Sequence, residues 1–117
     1  MVIWLAGLSG SGKSTFAKNI IYKLKKKFKK KILKIDGDEI RYLFKNDLGH
    51  SLKDRIKNAE RISKLVYFLQ KDTDLILVVS VLSISQKWLD WNRKKIKDYF
   101  QIYMDVPFEK LYKRNSK

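Results

Sequence analysis

Gly7-Leu8-Ser9-Gly10-Ser11-Gly12-Lys13-Ser14 is the stretch that decides the fold of this 117-residue chain. It lies between a short apolar run, Val2 to Ala6, and a stretch from Ser14 to about Phe28 whose Phe16, Ala17, Ile20, Ile21 and Leu24 share one helical face. An apolar strand that passes through a glycine-rich turn into a helix is the setting in which G-x-x-x-x-G-K-[ST] cradles phosphates. Gly7, Gly10 and Gly12 admit backbone angles that side chains forbid, so successive amides can point inward around a phosphate. Lys13 can reach the β- and γ-phosphates, and the Ser14 hydroxyl can ligate magnesium. The helix start adds its partial positive charge. With Ser9, Ser11 and Thr15 filling the loop, the segment is expected to hold ATP and Mg2+.

Working outward, Ile32 to Ile35 reads as a second strand ending at Asp36-Gly37-Asp38. A short helix is expected over Glu39 to Lys45, then a turn at Asn46-Asp47-Leu48-Gly49-His50. Ser51 to Gln70 reads as a longer helix with Ser51 as its N-cap and Ile56, Ala59, Ile62, Leu65, Val66 and Leu69 as its buried stripe. Leu75 to Val81 is apolar on both sides, as a central parallel strand should be. A helix is expected over Gln86 to Tyr99, a strand over Gln101 to Met104, and a last helix with Pro107 in its first turn. Strands alternating with helices predict one three-layer α/β domain of the P-loop nucleoside triphosphate hydrolase type, spanning residues 1–117, with a parallel sheet of about four strands. Trp4 is assigned to the core, Trp88 and Trp91 to helix packing, and Tyr103 to sheet packing.

The composition supports this class: 44% hydrophobic with 33% charged residues is globular rather than disordered. The chain has no cysteine, which excludes disulfides, thiolate zinc sites and a cysteine nucleophile, and fits a reducing compartment. A single histidine makes no metal site. No apolar run approaches the roughly 20 residues needed to cross a bilayer. The first apolar stretch is too short for a signal peptide and has no basic region before it. No membrane partner and a cytoplasmic location are therefore expected. The net charge of +15 owes much to Lys23, Lys25, Lys26, Lys27, Lys29, Lys30 and Lys31. This run reads as a solvated face, so nucleic acid is not the expected partner.

In parallel α/β sheets ligands sit beyond the carboxyl ends of the strands, which selects Asp36, Asp38 and the region around Ser83. A carboxylate after the second strand can orient magnesium or accept a proton from an attacking hydroxyl. The bland alternative is that Asp38 only caps the following helix. Arg55 and Asn58 share a helix face, and with Arg41 they could grip a second anionic substrate by forked hydrogen bonds. Their alternative is surface ion pairing with Asp54 and Glu60.

At this point the sequence resembles the adenylylsulfate kinase family. The matching stretches are Gly-Leu-Ser-Gly-Ser-Gly-Lys-Ser-Thr at 7–15, Asp-Gly-Asp-Glu-Ile-Arg at 36–41, Asp-Leu-Gly at 47–49, Asp-Arg-Ile-Lys-Asn-Ala-Glu-Arg at 54–61 and Val-Pro-Phe-Glu at 106–109. The resemblance implies transfer of the γ-phosphoryl of ATP to the 3′-hydroxyl of a small-molecule nucleotide acceptor, with adenylylsulfate expected, and a homodimer as the assembly. It gives Lys13 and Asp36 catalytic roles, with Asp36 beside the acceptor hydroxyl and magnesium. It places Asp38, Arg41, His50, Arg55, Asn58, Leu82 and Ser83 on the acceptor side, and Arg114 near the ATP base.

Three departures bear on the acceptor. The family usually has phenylalanine stacked on adenine where this chain has His50, and Ser-Pro where it has Ser83-Ile84. Lys117 falls before the family's Lys-Gly-Leu-Tyr stretch, mobile lid and final strand, so nucleotide binding is expected to be better supported than turnover. Cytidine diphosphoramidate, phosphorylated by family-like capsule enzymes, is the alternative acceptor. A binding-only P-loop protein and a basic nucleic-acid binder are the competing classes.

Overall fold

The computed structural model describes residues 1–7, 12–82 and 85–104. Four strands, β1 (Val2–Gly7), β2 (Ile32–Asp36), β3 (Ile76–Val81) and β4 (Tyr99–Met104), form one parallel sheet in the order β2-β3-β1-β4. Helices α1 (Lys13–Lys27), α2 (Gly37–Leu43), α3 (Leu52–Lys71) and α4 (Gln86–Lys95) connect them.

The alternation of side chains along β1 explains the layering. Val2, Trp4 and Ala6 face one side, where they join Leu77, Val79, Ile62, Val66 and Leu89 in the larger core beneath α2, α3 and α4. Ile3 and Leu5 face the other side and meet Val78, Ala17 and the apolar stripe of α1. Because β1 and β3 are covered on both faces, every one of their residues is buried. This is the expected α/β sheet with helices on both sides. Trp4 is in the core as expected, and Trp88 packs on Trp91 with ring centroids 5.5 Å apart.

Three expectations change. The helix after Asp36 begins at Gly37, not Glu39, and ends at Leu43, because Asp36 itself is the N-cap: its side chain accepts from the Asp38 amide at 2.8 Å. The helix over Gln86 stops at Lys95, not Tyr99. Ile96 turns into the core, and pairing of Tyr99 and Phe100 with Val2 and Ile3 draws those residues into β4. Tyr103 lies on edge strand β4 but is half exposed rather than packed on the sheet. The lysines from Lys23 to Lys31 are exposed as expected, with Lys30 paired to Asp74 at 2.9 Å. The expected helix from Pro107 lies outside the described residues.

Candidate active site

The start of α1 and the carboxyl ends of β2 and β3 open into a cavity of about 170 Å³. The chemistry along its wall comes from Lys13, Ser14, Asp36, Asp38, Arg41, Arg55, Asn58 and Leu82, so eight expected residues from separate segments meet in one place. A second, open cleft adjoins it, sharing Asp38 and Arg41 and adding His50.

Among the described residues, the donor-side wall is formed by Lys13 and Ser14 at the start of α1, with Gly7 and Gly12 behind it. Gly12 lies in the left-handed region at φ 89°, and a Cβ there would meet open space, so conformation is what calls for glycine. As N-cap of α1, Gly12 offers no side-chain oxygen, and the first turn carries no acid. The amides at this helix start are thus left to an anion. Gly7 is glycine for a different reason from the one its motif suggests. It is an ordinary strand residue paired with Met104, and an added Cβ would run into the Met104 carbonyl oxygen. Gly7 therefore sets the close approach of β4, and its carbonyl accepts from Lys13 Nζ at 3.1 Å. Burial holds the Lys13 ammonium below its ordinary proton affinity, and the nearby Asp36 carboxylate partly opposes this. Gly7, Gly12 and Thr15 do not line the cavity, while Ser9, Gly10, Ser11, Ser83, Ile84 and Arg114 lie outside the described residues.

The acceptor-side wall is a network of side chains. Arg41 is buried, with its Nη2 donating to Asp38 and its Nη1 to the Gly49 carbonyl at 3.2 Å and to His50 Nδ1 at 2.8 Å. Asp38 is thus the partner of Arg41 rather than the helix cap. Asn58, also buried, donates to the Gly37 carbonyl at 3.1 Å, which fixes its amide and leaves Oδ1 buried without a partner among the described residues. Arg55 Nε is likewise buried without a partner there. The bland alternative of surface ion pairs does not hold: Asp54 accepts from the Gly49 amide at 2.8 Å, and Glu60 pairs with Lys64. Unsatisfied buried polar atoms on a cavity wall are costly unless a ligand supplies the missing bonds.

Sequence reasoning missed two contributors. Ser80 is buried on the cavity wall opposite Asp36 in the β2–β3 register, two residues before Leu82, which also lines the cavity. That two-residue spacing was the available signal. Arg61 forks onto Asp47 at 3.1 and 2.6 Å and fixes the turn after α2; these bonds hold the Asp47 carboxyl below its ordinary range. Both residues lie in the motif stretches at 47–49 and 54–61, which gave no hint that they pair.

Ser14 and Asp36 bring hard oxygen donors to one cavity, and no cluster of three or more His, Cys, Asp or Glu suited to a metal exists among the described residues. This donor set fits Mg2+, which takes one or two protein oxygens alongside phosphates and water. No helix among the described residues is long and apolar enough to cross a membrane.

Comparison with known proteins agrees with this geometry. The family model for adenylylsulphate kinase matches residues 1–117. A cytidine diphosphoramidate kinase from Campylobacter jejuni is 37% identical over 119 residues, covering 99% of this chain and 66% of that protein. An adenylyl-sulfate kinase from Clostridium acetobutylicum is 37% identical over 117 residues, covering 99% of this chain and 58% of that protein. The chain thus spans roughly three fifths of these relatives. The structure of the APS kinase of Mycobacterium tuberculosis in complex with AMPPNP and APS superposes with a TM-score of 0.79 at 32% identity, covering 99% of this chain and 68% of that one. On its sequence and its fold alike, the chain belongs to the adenylylsulphate kinase family.

Proposed function

We propose that this chain carries the phosphate-binding and acceptor-gripping parts of an ATP-dependent kinase that phosphorylates the 3′-hydroxyl of a nucleotide, adenylylsulfate being the leading acceptor. The observation that carries the reading is the convergence of Lys13, Ser14 and Asp36 with Arg41, Arg55 and Asn58 on one cavity. A phosphate cradle alone does not name an acceptor; a cradle facing buried, unsatisfied polar groups is arranged for two substrates.

The α1 amides and Lys13 hold the β- and γ-phosphates and neutralise charge that moves onto the bridging oxygen. Mg2+, when bound, screens the phosphate oxygens and is held on the protein side by Ser14 and Asp36. Asp36 also accepts the proton of the attacking 3′-hydroxyl; the new phosphorus–oxygen bond forms as the bond to ADP breaks. Arg55 and Asn58, which line the cavity, offer a guanidinium and an amide to the second nucleotide.

Cytidine diphosphoramidate is the second reading for the acceptor. His50 favours it, because the ring at the family's adenine-stacking position is bonded to Arg41 through Nδ1. Incubation with labelled ATP and each acceptor tests both readings. A 3′-phosphorylated product from one acceptor is expected, and tight ATP binding with no product from any nucleotide would leave only a binding protein.

A further inference from the structure

His50 stands where the family usually has a stacking phenylalanine, and the turn that carries it is tied down at several points. Gly49 is fastened on both sides: its amide donates to Asp54 and its carbonyl accepts from Arg41. The Asn46 amide donates to the Arg41 carbonyl at 2.8 Å, and Arg61 grips Asp47. A turn tied to both α2 and α3 brings the imidazole within hydrogen-bonding distance of Arg41.

The direction of that bond follows from chemistry. A guanidinium has only donors, so His50 Nδ1 must accept, and the ring's proton sits on Nε2. Both hydrogens of Nη1 are then committed, to Gly49 and to His50, and one of Nη2 to Asp38. The Nε hydrogen and the second Nη2 hydrogen remain to be offered to a ligand. Without the imidazole, one Nη1 hydrogen loses its partner, and the buried guanidinium is freer to swing away from the acceptor wall.

We propose that His50 is a positioning residue: its neutral Nδ1 completes a three-point clamp with Asp38 and the Gly49 carbonyl that aims Arg41 at the anionic part of the acceptor nucleotide. This rests on the kinase reading above, but the clamp itself can be observed without turnover. Long-range 1H–15N spectra of the ligand-free chain should show the His50 proton on Nε2; a proton on Nδ1 overturns the proposal.

In transfer assays, His50→Ala should raise the KM for the acceptor about tenfold, the range of one hydrogen bond to a charged group, with the KM for ATP unchanged. His50→Asn returns an acceptor oxygen near the Nδ1 position and should recover most of that loss. An unchanged acceptor KM in the alanine variant, an asparagine variant no better than alanine, or an equal rise in the KM for ATP each overturns the proposal. An Nε2-protonated ring in a chain that phosphorylates no nucleotide would support the clamp and sink the kinase reading alone.

Discussion

The start of α1 and the β2–α2 junction meet at one cavity and are built on opposite principles. The first presents backbone: Gly12 in a left-handed conformation, a helix start without a capping side chain, and one lysine. The second presents side chains: Asp36 capping α2, Arg41 held at three points, and Asn58 fixed by the Gly37 carbonyl. A backbone cradle suits any phosphate and can be written in eight consecutive residues. A side-chain clamp selects one partner and has to collect its members from residues 36–61.

The strongest way to break this comparison is Lys13→Ala. On the kinase reading, phosphoryl transfer should fall about 10³-fold, as when a preorganised charge on the transferring group is lost. The empty fold should not suffer. Burial lowers the proton affinity of Lys13, so between that lowered value and 10.5 the unfolded chain binds a proton that the folded chain does not. Stability therefore rises with pH across that window, and the alanine variant should lose this rise in melting experiments. Transfer at the wild-type rate would overturn the kinase reading.

Asp36→Asn comes next. Asparagine can still cap α2, so melting should be unchanged, whereas turnover should drop about 10²-fold with little loss of ATP affinity. Equal losses in turnover and ATP binding would assign Asp36 to the metal rather than to the acceptor hydroxyl.

Gly7→Ala sharpens the distinction between the two glycines of the cradle. Its Cβ collides with Met104, so the variant should lose about 1–3 kcal/mol of stability in urea unfolding, the usual cost of overpacking. Gly12→Ala meets open space and should cost less, through its backbone angle alone. A reversed order would mean that β4 yields easily.

The smallest effect belongs to the Asp47–Arg61 fork. Arg61 lowers the Asp47 pKa, so this pair's contribution is fully present above the ordinary value of 3.8 and is lost as pH falls below it toward the lowered value. Asp47→Asn should remove that acid-side dependence and change stability at neutral pH little, because water and salt screen an exposed pair. A large loss at neutral pH would show that the turn depends on the fork.

Much of the fold was legible because periodicity reports burial. Val2 to Ala6 is apolar at every position and Leu75 to Val81 at all but Ser80, as only strands covered on both faces need to be, and the stripe of α3 follows helical spacing. The misreadings fall where pairing partners decide. Nothing local says that Tyr99 leaves a helical pattern and that Phe100 joins it beside β1, because their partners in the sheet are Val2 and Ile3, nearly a hundred residues away.

The candidate site divides in the same way. The strand and helix that flank the phosphate motif could be read from the chain because both follow from local periodicity; residues 8–11 of the motif lie outside the described residues. Arg41, Arg55 and Asn58 were named from spacing and resemblance, but their state was not legible. That Arg41 is clamped, that Asp38 serves it rather than capping α2, and that Asn58 Oδ1 and Arg55 Nε have no partner among the described residues all depend on which groups meet across the turn and α3. Sequence alone determined that a strand enters a phosphate cradle and that helices cover a parallel sheet, since both follow from local conformation and burial. Only the tertiary structure decided why Gly7 is glycine and what His50 touches, because short-range contact between distant segments has no signature in either segment by itself.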